Sequence, residues 1–206
     1  MMLRKNMLRR LLQLYIGLVL YGVSTALFVH ANLGADPWDV FHLGVAKQLG
    51  ISFGTVIILT GAAVLLLWIP IRQMPGLGTV SNVIVLGLAA DATLAVLPPL
   101  ESMVARSALL VGAIVLNAIA TGMYIGAGFG PGPRDGLMTG LHARTGWSLR
   151  GIRTAIELSV LLIGWLLGQI WRRNRHLRAV DWAADPAVPT LVQPARQPQR
   201  GQPSRK

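Results

Sequence analysis

The sequence predicts an all-α fold, a polytopic membrane helix bundle with five transmembrane helices, and three observations predict it. Of 206 residues, 53% are hydrophobic and only 13% are charged, about half the charged share of an ordinary soluble domain. Five separate windows are mostly apolar for about 20 residues each, the length a helix needs to cross roughly 30 Å of hydrocarbon. The chain also matches itself at an offset of 96 residues, and self-similarity at a fixed period marks duplication.

The elements follow in order. Residues 1–10 are a basic N-terminal segment carrying Arg4, Lys5, Arg9 and Arg10. The first span is 11–31. A basic stretch ahead of an apolar run also describes a secretory signal, but this run is longer than a signal's apolar region and four more follow, so an uncleaved helix is expected. The remaining spans are 51–70, 78–98, 107–128 and 151–170. Residues 36–50 and 132–146 are too short and too polar to cross. Each starts with Gly and Pro nearby and then permits about three helical turns, with Asp39 or Asp135 in the first turn, where an acid suits the positive end of the helix dipole. They are read as short re-entrant or interfacial helices. Residues 171–206, rich in Arg, Pro and Gln, lack the apolar surface to offset ordering entropy and are expected to be a disordered basic tail.

The formal net charge of +11 is concentrated at the two ends. Residues 171–206 hold eight Lys/Arg against Asp181 and Asp185, whereas 11–170 hold seven bases against six acids. A nucleic-acid domain needs its basic residues along one folded face, so no nucleic-acid partner is expected. Lys and Arg near span ends favour the cytoplasmic side. Arg72, Arg134, Arg144 and Arg150 join the basic N-terminus on one side, leaving Lys47 and Arg106 on the other. That asymmetry places the N-terminus in the cytoplasm of a cell whose cytoplasmic membrane holds the protein. Five spans then deliver the basic tail to the opposite side, against the same rule.

The repeat accounts for this conflict. Residues 19–66 align with 115–162, with thirteen of 48 positions identical. Gly34, Pro37 and Asp39 fall on Gly130, Pro133 and Asp135, and Gly44, Gly50 and Ser52 on Gly140, Gly146 and Ser148. The first repeat (11–98) has three spans. The second (107–170) has two, and its third would begin near residue 171, where the polar tail stands instead. With three spans per repeat, an odd number, the halves are expected to be inverted relative to one another.

From Leu33 to Leu167 the chain resembles the YczE/YitT-like family of bacterial polytopic membrane proteins. The resemblance is carried by Leu33-Gly34-x-x-Pro37-Trp38-Asp39-Val40 with His42 and Gly44, by Leu67-Trp68-Ile69-Pro70 with Arg72, and by Pro75-Gly76-x-Gly78-Thr79. Its most specific part is Gly130-Pro131-Gly132-Pro133-Arg134-Asp135-Gly136-Leu137-Met138, continued by His142, Arg144-Thr145-Gly146, Arg153 and Glu157. It implies an integral protein of the cytoplasmic membrane, with no agreed molecular activity, and a further Gly-rich apolar helix after Gly164–Gly168. The chain departs from this pattern at Gln169, as a frameshifted or truncated end would.

Candidate residues for a substrate or ion path are Gly34, Pro37, Asp39, His42, Gly130, Pro133, Arg134, Asp135 and His142, all on or beside the two short segments, together with Asp91 inside the third span. In duplicated transporters, half-helices direct such termini at a central site. The competing reading makes the two segments interfacial turns with Asp39 and Asp135 as helix caps. Asp91 has no local partner in sequence and stands as a proton or cation candidate. Arg153 and Glu157, four residues apart on one helical face, are a candidate ion pair. Asn117 suits a hydrogen bond between helices, and Trp68, Trp147, Trp165 and Trp171 suit an aromatic belt.

No cysteine is present, the histidines lack metal-ligand spacing, and neither a nucleophile elbow nor a Walker loop occurs. No metal, cofactor or enzymatic activity is expected. The partners expected are the lipid bilayer and a small solute or ion. Two functions compete: a transporter-like protein, and an accessory or scaffold protein in which Arg134, Arg144 and Arg150 meet a partner or anionic lipid.

Overall fold

The computed structural model describes residues 2–174, with side chains from Asn6 to Gly168. Among the described residues every regular element is a helix: α1 (Met2–Ala31), α2 (Pro37–Leu49), α3 (Phe53–Ile71), α4 (Leu77–Val96), α5 (Met103–Gly126), α6 (Pro133–Thr145) and α7 (Leu149–Asn174). Stretches of α1, α3, α4, α5 and α7 are long and apolar enough to cross a membrane. They cover the five windows read from sequence, and α2 and α6 cover the two short segments. Residues 171–174 continue α7, and the expected tail from 175 onward lies outside the described residues.

Local chemistry sets the helix ends. Pro37 and Pro133 open α2 and α6, where a missing N–H leaves nothing unsatisfied. Gly50 and Gly146 close them in the left-handed conformation, at φ 67° and 69°, which a residue without Cβ adopts freely. Ser52 Oγ accepts from Thr55 N at 3.1 Å to start α3. Ninety-six residues on, Ser148 Oγ accepts from Gly151 N at 3.1 Å at the start of α7.

α1 lies against both α4 and α5, and α3 against α4 and α6, while α2 packs chiefly on α7. Between apolar helices in lipid, association rests on close packing rather than on expulsion of water, and small residues mark the contacts. A Cβ on Gly164 would meet the backbone of Val40 and Phe41, and one on Gly44 would meet the carbonyl of Gly164 and the Leu167 side chain. At the corresponding contact between α6 and α3, Gly136 lies under the Trp68 ring and Gly140 beside Ile71. Each short helix is therefore held by a long helix distant in the chain, α2 by α7 and α6 by α3.

Trp68 is 1% exposed, packed with Trp38, Val64 and Leu137, and its Nε1 donates to Pro133 O at 3.1 Å. It is a core residue joining α3 to α6, not part of an aromatic belt. Trp147 and Trp165 are exposed, as a belt requires.

Candidate functional site

After α1 and again after α5 the chain turns back toward the middle of the bundle. Asn32 and Gly34 take positive φ in the first turn-back, and Gly128 and Gly130 in the second. These extended returns set the first turns of α2 and α6 beside Tyr21 and Tyr124, whose rings stack with centroids 5.8 Å apart. Two helix N-termini thus meet beside Tyr21, about two thirds of the way along α1, each bringing roughly half a positive charge.

Acids answer them. Asp36 caps α2, its Oδ1 accepting from Asp39 N at 2.7 Å, while its Oδ2 lies 3.9 Å from the Arg134 guanidinium. That guanidinium rests 4.4 Å from the centroid of the Trp38 ring, a cation–π seat. Asp39, buried, is 3.9 Å from His42 Nδ1, and Asp135 Oδ2 accepts from Tyr124 OH at 3.2 Å. Neither Asp39 nor Asp135 is a cap: Asp36 fills that place in α2 and Gly132 in α6. Burial pushes the Asp39 carboxyl up to about 6, against the opposing pull of Arg134. Asp36 is pushed upward too, by burial and then by its neighbour Asp39, with Arg134 again opposing. Burial, then Arg134, lowers His42 to about 3, so its imidazole is neutral at pH 7.

Two cavities open here. The inner one, about 80 Å³, is lined by Trp38, His42, Asn82, Tyr124, Arg134 and Asp135 among others. The outer one, about 320 Å³, is bounded by Gly34, Asp36, Asp39, Asn117 and Arg134, and Tyr21 and Leu86 wall both. The inner cavity is roofed by Asn82, Val83 and Leu86 of α4. Among the described residues, the buried side-chain atoms without a hydrogen-bond partner are His42 Nδ1 and Asn82 Nδ2, and both residues line the inner cavity.

Of the residues singled out from sequence, Gly34, Asp39, His42, Pro133, Arg134 and Asp135 come together at these cavities, and Pro37 positions them by opening α2. The others make contacts of their own. Asp91 accepts from Gly54 N at 2.6 Å and from Ser52 Oγ, so it caps α3 across the α3–α4 contact instead of standing free as a cation site. Gly130, at φ 114°, lies against Gly76 and the Thr79 hydroxyl of α4. His142 Nδ1 is 2.6 Å from Trp147 O at the exposed end of α6. Arg153 Nε donates to Glu157 at 2.8 Å on the outer face of α7. Asn117 accepts from Ser24 Oγ at 3.4 Å, linking α5 to α1.

Sequence reasoning missed Asp36, Trp38, Tyr21, Tyr124 and Asn82 as site residues. Asp36 carried a readable signal, since an Asp directly before a helix-opening Pro is an N-cap. The others are lone polar or aromatic residues within or beside apolar runs, and only tertiary packing converges them.

No solved structure matches this chain. It is 36% identical over 157 residues to an uncharacterised protein of Haemophilus influenzae, covering 76% of this chain and 72% of that protein. It is 30% identical over 156 residues to the uncharacterised membrane protein YczE of Bacillus subtilis, covering 75% and 73%. A family model, described as a family of unknown function (DUF6198), matches residues 8–180. With most of its length matched and a YczE relative among its neighbours, this multi-pass membrane protein belongs to the DUF6198 family.

Proposed function

We propose that the chain is a transporter-like protein for a small solute or ion, built from two inverted halves, with its path through the paired cavities. One observation carries the reading: the first turns of α2 and α6 meet inside the bundle around the buried Asp39 carboxylate, the more exposed Asp36 and Asp135, and the Arg134 guanidinium. Intramembrane ionisable groups of this kind mark substrate and ion pathways, and broken or half-length helices place them there in duplicated transporters. Contacts that recur 96 residues apart, Gly44 with Leu167 and Gly140 with Ile71, support the inverted pairing. The protein lies in the cytoplasmic membrane with its N-terminus in the cytoplasm, and the site carries out no covalent chemistry.

The test is solute flux in proteoliposomes. Asp39→Asn and Asp135→Asn abolish flux while membrane insertion and yield stay at the parent level. Full flux from the double variant overturns the reading. The accessory-protein reading draws on one observation, the exposure of Arg144, Trp147 and Arg150 at one end of the bundle. It predicts crosslinking to a partner, and a phenotype that survives both aspartate changes.

A further inference from the structure

The charge around the cavities is unbalanced in one direction. Asp36, Asp39 and Asp135 bring three carboxylates, Arg134 brings one cation, and two helix N-termini bring roughly +0.5 each. The remainder is about −1 by that count, the complement of one monovalent cation. Arg134 is already engaged by Asp36 and the Trp38 face, and Asp135 is met by a neutral phenol. A second observation is independent of charge: Asn82, 7% exposed, holds an amide nitrogen with no acceptor at the inner cavity wall. A bare cation cannot satisfy that donor.

The lining also selects the kind of cation. Among the described residues no three His, Cys, Asp or Glu side chains converge as metal ligands, whereas the rings of Tyr21, Trp38 and Tyr124 line the inner cavity together with Asp135. Aromatic faces beside carboxylates suit organic ammonium groups. The 80 Å³ inner cavity restricts the ligand to a few non-hydrogen atoms.

Building on the transporter-like reading, we infer that this site takes a small organic ammonium bearing a hydroxyl, an amino alcohol. Its nitrogen sits against Asp135 and the tyrosine rings, and its oxygen accepts from Asn82 Nδ2. Asp36 and Asp39 draw the cation in through the outer cavity. Arg134 on Trp38 shows within the chain itself the same pairing of a cation with an aromatic face and a carboxylate.

The experiment is calorimetric titration of the full chain in nanodiscs at pH 7.5 and matched ionic strength. The probes are ethanolamine, ethylammonium, glycine and sodium chloride. Ethanolamine saturates, and ethylammonium, lacking the hydroxyl, binds about 5- to 10-fold more weakly, the worth of about one hydrogen bond. Glycine and sodium do not compete. Asn82→Ala brings the two amines to parity, and Asp135→Asn removes both. Tyr124→Phe, milder than either, weakens both equally. Saturation by glycine or sodium at the ethanolamine concentration overturns the inference, as does a hydroxyl preference that survives Asn82→Ala, or the absence of any saturable amine. Amine binding without flux in liposomes defeats the transporter reading alone. Flux of another solute that no amine inhibits defeats this inference alone.

Discussion

Replacing Trp68 with Phe tests how α6, and with it Arg134 and Asp135, is held in place. Trp68 is 1% exposed, its ring covers Gly136, and its Nε1 satisfies the Pro133 carbonyl at 3.1 Å. Phenylalanine keeps an aromatic ring there but removes the donor and the outer part of the indole. Leaving a buried acceptor unmet costs about 1–3 kcal/mol, and a methyl-sized void adds about 1 kcal/mol. The expected loss is therefore about 2–4 kcal/mol. Equilibrium unfolding of the purified chain in mixed micelles measures it, with Trp165→Phe as control, because Trp165 is 55% exposed and its change is expected within about 0.5 kcal/mol. Since Pro133 opens α6, the Trp68 variant also weakens amine binding while the control does not. A Trp68→Phe chain as stable as its parent would refute the claim that this contact seats α6.

Asp91→Ala removes the acceptor for Gly54 N and Ser52 Oγ, and loss of a helix cap costs about 1–2 kcal/mol. Ligand affinity is unchanged in titration, since Asp91 lines neither cavity. Asp39 gives a pH dependence with a defined sign. Its carboxyl is raised from 3.8 to about 6, so the fold favours the protonated form, and the stability this supplies is complete below pH 4 and is lost as pH rises through 6. Asp39→Asn is then near neutral at pH 4 and stabilising by up to about 3 kcal/mol at pH 8, read from unfolding curves at the two pH values. Amine affinity of the parent runs the other way, falling between pH 7.5 and 5 as Asp39 gains its proton beside His42, Asp36, Arg134 and Tyr21. Gly164→Val drives a branched side chain into the Val40–Phe41 backbone and is expected to separate α2 from α7, seen as protease cleavage near α2. Gly112→Ala, where a Cβ meets nothing within 4 Å, stabilises α5 by about 0.5–1 kcal/mol.

What the sequence made legible is what local chemistry decides. Apolar runs of about 20 residues announce spans, and Gly and Pro at fixed offsets announce the ends of α2 and α6. Asp39 and Asp135 fell in first helical turns because the proline before each one sets where the helix starts. The site was legible only where it lies on those two segments. Asp91 looked solitary because its partners, Ser52 and Gly54, are nearly 40 residues away across a helix contact. Trp68 looked like a belt residue because it stands near a span end, and only the small Gly136 opposite lets the ring turn inward. Tyr21, Tyr124 and Asn82 carry no signal along the chain, since a polar group inside a span can face a neighbour or a cavity equally well.

The crossed pairing of short and long helices also imposes an order in time. When α6 emerges from the ribosome, α3, against which it packs, has long been made. The main partner of α2 is α7, which begins only at Leu149. At about 5–20 residues per second of synthesis, α2 waits on the order of 5–20 s with Asp36, Asp39 and His42 unsheltered. Its docking is thus a late step of biogenesis, and the cavities close only then. A nascent chain arrested before α7 would hold its spans in the bilayer while α2 remained open to protease, so the two short helices reach their partners at different times.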